Sequence, residues 1–99
     1  MYRGTDAGIL INTSGNIKLT ECESLYVTLK QDEKIIKKEK GELIVTDDSI
    51  TCTFTREETF SLHAGTASID ITGVIGGKAF ALPAESISVY STNRNEVIT

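Results

Sequence analysis

Apolar residues fall at every second position in one short run after another along this chain. That period of two, not the 3.6 of a helix, constrains its fold more than any other feature. Ile50, Cys52 and Phe54 alternate with Thr51, Thr53 and Thr55. The same alternation joins Leu25, Val27 and Leu29; Leu43 and Val45; Ala67, Ile69 and Ile71; Phe80 and Leu82; and Ile87 and Val89. Ile9 with Ile11, and Ile17 with Leu19, extend the series. Seven or eight short strands at close spacing, with turn residues between them, predict an all-β chain built as an antiparallel sandwich or a barrel.

The punctuation agrees. Asp47-Asp48 separates Leu43 and Val45 from Ile50, which predicts a tight hairpin with the aspartates bonding their own backbone. Gly76-Gly77 accepts the two positive φ angles of a type I′ turn. Gly73 is read as a bulge, and Pro83, which has no amide hydrogen, is expected to break its strand or sit on an edge. From Lys30 to Glu42 five lysines interleave with four acids, the pattern of a solvated hairpin or edge strand with one of Ile35 and Ile36 turned inward. Glu33 and Lys37, four residues apart, leave a helix as the second reading of this segment.

One interruption stands out. After Thr55 the alternation gives way to Arg56-Glu57-Glu58, and Thr55-x-x-Glu58 is the spacing of a capping box. Acids in a first turn suit the positive end of a helix, and Gly65 supplies a left-handed stop. A short helix from about Arg56 to His63 is therefore expected to plug one end of a sandwich with Phe60 or Leu62 while the chain crosses between sheets.

The 99 residues make one domain, 1–99, with a single modest core. Charged residues amount to 24% with both signs mixed, and the net charge of -4 opposes a phosphate backbone, so no nucleic-acid partner is expected. The early apolar run Ile9-Leu10-Ile11 is shorter than a signal-peptide core, and no stretch approaches a bilayer span, so no membrane partner is expected and the chain is read as made in the cytosol. Cys22 and Cys52 fit neither a disulfide framework nor a zinc motif, and Cys52 falls on the apolar face of its strand.

No chemistry is announced. A Cys52–His63 nucleophilic pair needs a shared cleft and an orienting third group, whereas the pattern turns Cys52 inward and sets His63 at a helix end, facing the negative pole of the dipole. Cys22, Cys52 and His63 lack the short ligand spacing of a metal site, and Asp47-Asp48 lacks the alternating oxygens of a calcium loop. Glu57, Glu58 and Asp70 are the remaining carboxylates, and adjacent residues on a helix face different ways. The glycine segments lack the context of a phosphate loop or a dinucleotide fold. Catalytic, metal and cofactor residues are accordingly expected to be absent.

The order of segments carries a resemblance. "YRGT" at Tyr2 to Thr5, "LYVTLKQ" at Leu25 to Gln31, "IVTDDSITCTFTREETFSLHAG" from Ile44 to Gly65, "AESISV" and "NEVI" at Asn95 to Ile98 span nearly the whole chain. Together they resemble small proteins from the tail and baseplate regions of prophages of Gram-positive bacteria. They are also similar to the N-terminal domain of the phage upper baseplate protein, an immunoglobulin-like β-sandwich that attaches receptor-binding machinery to the tail. Two departures stand out: Arg56 occupies a position where that pattern commonly has glutamine, and "GGKAFALPAE" differs in its strand. The resemblance implies an immunoglobulin-like antiparallel β-sandwich of seven to eight strands and a non-catalytic virion structural or adaptor role. It also implies a protein made in the bacterial host cytoplasm and assembled into the virion. Other tail and baseplate proteins would be its partners, with a homo-oligomer as a further form.

Contacts are expected at Tyr2 and at Val97 and Ile98, which lie outside the strands, and at Tyr26 and Tyr90, on strand faces opposite the core. The alternative is a small module binding carbohydrate or a cell surface through Tyr2, Tyr26 and Tyr90, since exposed aromatics stack on sugar rings. Exposed sheet edges offer the first function a mechanism through strand addition.

Overall fold

The computed structural model describes residues 1–13, 17–91 and 97, with Pro83 and Ala84 described in backbone alone. Among the described residues seven strands form: β1 Ala7–Asn12, β2 Ser24–Gln31, β3 Lys34–Glu39, β4 Ile44–Val45, β5 Ser49–Phe54, β6 Gly65–Ile75 and β7 Lys78–Val89. One helix, α1 Arg56–Phe60, lies between β5 and β6. The strands make two antiparallel sheets, ordered β1-β5-β4 and β3-β2-β6-β7. In immunoglobulin lettering these are B-E-D and C′-C-F-G, so the immunoglobulin-like order is present. Strand A is reduced to one parallel bridge between Tyr2 and Tyr90, beyond the end of β7.

The alternation resolves as expected. Ile11, Ile50, Cys52 and Phe54 from one sheet meet Leu25, Val27, Leu29, Ile36, Ala67, Ile69, Ile71 and Val89 from the other in one buried cluster. This core replaces the disulfide and tryptophan that pin many immunoglobulin domains. Cys22 and Cys52 are buried free thiols. Ile36 is the inward residue of its pair and Ile35 the outward one. Leu19 is fully buried, yet Ile17 and Leu19 form no strand: Leu19–Glu21 is a single 3-10 turn that drops Leu19 into the core. Among the described residues no helix is long and apolar enough to cross a membrane.

Pro83 does not divide its segment. Phe80, Leu82, Ile87 and Val89 belong to one strand, β7, which runs through Pro83 at the edge of its sheet. The register shows how: Ile69 pairs with Glu85 but Ile71 pairs with Leu82, so Pro83 and Ala84 together oppose Asp70. This bulge shifts the parity by one, so that Leu82 before it and Ile87 and Val89 after it pack on the same core. A strand with proline at a bulge loses no ladder bond that it would otherwise make. Gly73 is thus not the bulge. A Cβ there would lie 2.6 Å from the Ser24 carbonyl oxygen and 3.0 Å from the Phe80 ring, so glycine permits the close approach of β2 and β7. Gly76 and Gly77, at φ 57° and 76°, make the β6–β7 hairpin as their sequence demands.

Between β4 and β5 the Thr46 amide donates to the Ser49 carbonyl across Asp47-Asp48, which is the expected hairpin. The aspartates do not cap their own backbone: Asp47 accepts from the Thr20 hydroxyl and Asp48 from the Thr46 hydroxyl. Asp47 thereby ties this turn to the loop that carries Leu19.

Helix α1 starts at the capping box. The Thr55 hydroxyl accepts from the Glu58 amide at 3.2 Å, and the Glu58 carboxylate accepts from the Thr55 amide at 2.9 Å. Asp6 adds a third cap, accepting from the Arg56 amide at 3.0 Å. The helix is shorter than the sequence implies, ending at Phe60 with Ser61 as its C-cap. Gly65, at φ 140°, is the first residue of β6 and not the helix stop. Leu62 is the plug, 2% exposed, while Phe60 stays half-buried. His63 therefore lies past the helix and does not serve its dipole. Its Nε2 meets the Asp32 carboxylate, its Nδ1 donates to the Ala64 carbonyl, and the Gln31 amide group brackets its backbone at 2.8 and 2.7 Å.

Glu58 also bonds Lys38 Nζ at 2.8 Å, tying α1 to β3. Burial pushes the Glu58 carboxyl up, but Lys38 and the Thr55 amide outweigh it and hold it below its ordinary value of 4.5. A lowered folded value stabilises the fold above the ordinary carboxylate range, and that contribution is lost as pH falls through the folded value. Glu58→Gln keeps a capping acceptor and removes the charge. We expect it to cost about 0.5–2 kcal/mol at pH 7 and progressively less as the pH falls below the ordinary carboxylate range. Urea unfolding at pH 7 and below that range measures this, and a gap that widens on acidification would contradict the assignment.

Candidate protein-interaction edge

Among the described residues, the candidate reactive groups Cys22, Cys52 and His63 have separate surroundings. Cys52 is fully buried on β5, and burial pushes its thiol up to about 11, so the thiolate nucleophile is scarce at neutral pH. Burial likewise raises Cys22. His63 is on the surface, with Asp32 as the side-chain partner of its Nε2. Among the described residues, no three His, Cys, Asp or Glu side chains group to hold a metal ion.

The aromatic contact residues fall into two places. Tyr2 and Tyr90 come together, with ring centroids 5.3 Å apart, planes 40° off parallel, and exposures of 55% and 52%. Backbone bonds fix the pair: the Tyr90 amide donates to the Met1 carbonyl and the Arg3 amide to the Tyr90 carbonyl, both at 2.8 Å. Tyr2 is therefore not a loose end but the remnant of strand A. Tyr26 lies elsewhere, on the outer face of the four-stranded sheet, half-buried with the Lys37 ammonium 4.7 Å above its ring. Val97 is half-buried, and Ile98 lies outside the described residues.

The sheet edges differ more sharply than the aromatics. A free edge presents unpaired backbone donors and acceptors, and stable folds blunt it with charge, proline, bulges or brevity. Edge strand β3 reads KIIKKE and carries three lysines. Strand β7 has the Pro83 bulge and the charge of Glu85. Strand β4 is two residues long. Strand β1 reads AGILIN, six residues with no charge, no proline and no bulge, and among the described residues no strand pairs with its outer side. Strand A of an immunoglobulin sandwich would occupy that side.

The surroundings of β1 match. Leu10 and Ile44 both pair with Thr51, so the three form one row across the outer face of the three-stranded sheet. Leu10 is 61% exposed and Ile44 67%. The other outward residues of β1 and β5, namely Gly8, Asn12, Ser49 and Thr53, are also uncharged. On the inward side, where β1 faces β6 and β7 across the seam of the sandwich, there is a cleft of about 200 Å³. Ile11, Ile69, Ile71 and Leu82 line it, with Asp70 and Glu85 at its margin. That volume is small for a drug-sized ligand but exceeds the roughly 150 Å³ that holds a benzene-sized group, so it suits one branched side chain.

The alternation places Ile9 and Ile11 on a strand but does not by itself single out β1 as an interaction element. A signal is present in the absence of any charge between Ala7 and Asn12. What the sequence does not display is that β1 ends its sheet. Comparison with known proteins finds no matching family model, no matching curated protein and no matching solved structure.

Proposed function

We propose that the chain is a non-catalytic structural or adaptor module acting through protein–protein contacts, of the kind found in phage tails and baseplates. The observation that carries this reading is the unblunted edge of β1 in a fold whose other edges are all protected. A strand added along six residues makes about six backbone hydrogen bonds, each contributing about 0.5–1.5 kcal/mol net, and side chains at alternate positions add selectivity. The likeness to baseplate-region proteins supplies the tail setting and names tail and baseplate proteins as partners.

The test is co-expression of this chain with the proteins encoded beside its gene and with phage tail and baseplate proteins, followed by size-exclusion chromatography with light scattering. A stoichiometric complex in which the β1 amides gain protection from hydrogen exchange is the expected result. A chain that stays a monomer and joins none of them contradicts the reading.

The stacked Tyr2 and Tyr90 rings favour a second reading, a module binding carbohydrate or a cell surface. Their 40° tilt gives two facets, not the single flat platform that best receives a pyranose ring. Consistent hits on a glycan array, lost in Tyr90→Ala, would move the assignment to this second function.

A further inference from the structure

We infer that the seat beside β1 takes an extended basic segment of a partner protein as the missing first strand of the sandwich. Its aliphatic side chains enter the seam at alternate positions, and a lysine or arginine meets Glu85. This rests on the adaptor reading and specifies the partner at that site.

The geometry of the seat sets the first requirement. The outer side of β1 is unpaired among the described residues, so its outward-pointing backbone donors and acceptors can receive a neighbouring strand. A strand laid there turns every second side chain toward the seam. The inward residues find the cleft of Ile11, Ile69, Ile71 and Leu82, and the outward ones lie beside Leu10 on an uncharged face. The donor must therefore be aliphatic at alternate positions and free of proline.

Glu85 sets the second. It pairs with Ile69, whose side chain is buried, so Glu85 belongs to the inward-facing row of β7 and borders the same cleft. Among the described residues no cation pairs with it. An inward-facing carboxylate discourages an uncharged strand from settling on β7 itself. For a strand on β1 it is an anchor for a cation, in a setting where a like charge would be rejected. A second copy of this chain is the poorer occupant, because β1 contains no cation and two copies of net charge -4 repel.

The probes are two nine-residue peptides, acetylated and amidated, of alternating valine and threonine. One carries lysine at each end and the other glutamate, and binding is read by fluorescence anisotropy at low salt. The lysine peptide is expected to bind about tenfold more tightly than its counterpart, with new exchange protection in β1. Glu85→Gln, with its thermal unfolding checked to match wild type, is expected to bring the two peptides within about twofold of each other. Equal binding of both peptides to the wild type, or protection appearing in β3 or β7 instead of β1, overturns the inference. So does formation of a β1-paired homodimer with neither peptide bound. If neither peptide binds while a complex with a tail protein forms, this inference fails and the adaptor reading stands. If the lysine peptide binds β1 while no tail protein does, the inference stands and the tail setting fails.

Discussion

Leu29→Ala is expected to lower stability by about 3–5 kcal/mol, the upper part of the range for truncating a buried leucine. Leu29 is fully buried on β2, the strand between β3 and β6, and pairs with Ile36 on one side and Ile69 on the other. The three side chains make a continuous row under the opposing β5 residues. Strands held on both flanks by ladder bonds cannot close in on the space left, so the cavity cost adds to the lost transfer energy. Against the 5–15 kcal/mol typical of a domain this is a large fraction, and for a domain of this size it moves the melting temperature by about 12–30 °C. Urea unfolding followed by circular dichroism should show a lower midpoint with an unchanged slope. A loss under about 1 kcal/mol would mean that the two sheets are not closely packed at Leu29.

Arg3→Ala is expected to cost about 2–3 kcal/mol, unusual for a residue so near a terminus. The Arg3 guanidinium closes the C-terminal end of α1: Nε donates to the Leu62 carbonyl, Nη2 donates to the Phe60 carbonyl at 2.9 Å, and the group stacks 4.4 Å from the Phe60 ring centre. Helix ends leave carbonyls without intrahelical partners, and this planar cation satisfies that of Phe60 together with that of Leu62 just past the C-cap while countering the negative end of the dipole. Lysine has no planar fork, so Arg3→Lys should restore less than half of the loss. Both variants are measured by the same urea titration, and full rescue by lysine would contradict the two-carbonyl geometry. The contact also explains why residues 1–3 run beside the end of β7 and do not continue along β1. Arg3 holds them to α1, Met1 and Arg3 bond the Tyr90 backbone, and among the described residues the outer side of β1 is left without a strand.

Local rules hold wherever one rule acts alone. The capping box at Thr55 and Glu58, the glycine pair at Gly76-Gly77 and the inward rows of β2, β5 and β6 all follow from spacing, because each depends on residues within a few positions. The misplacements arise where two rules compete or where a distant partner decides. Pro83 takes the edge position, one of the two outcomes its missing amide leaves open, and what spacing does not show is the bulge that reconciles two apolar pairs of opposite parity, visible only in the pairing with β6. At Gly73 the absent side chain marks crowding by Ser24 and Phe80, and Ser24 is far away in sequence. Spacing assigns His63 to a helix dipole, whereas Gln31 at the end of β2 and Asp32 in the turn after it hold it instead. The candidate site is the least legible part. Its defining property is an outer side that no strand covers among the described residues, and no residue in AGILIN encodes whether a neighbour will cover it.

Native-state amide hydrogen exchange by NMR on the isolated monomer tests the central claim most directly. In an antiparallel edge strand, alternate amides point toward the partner strand and toward open water. The expected result is that β1 exchanges in that alternating pattern, with one set of amides protected by β5 and the other close to the rate of an unstructured chain, while β2, held by β3 on one flank and β6 on the other, is protected throughout. Uniform protection of all the β1 amides in the free monomer would mean that its outer side is already covered, and the open seat would not exist.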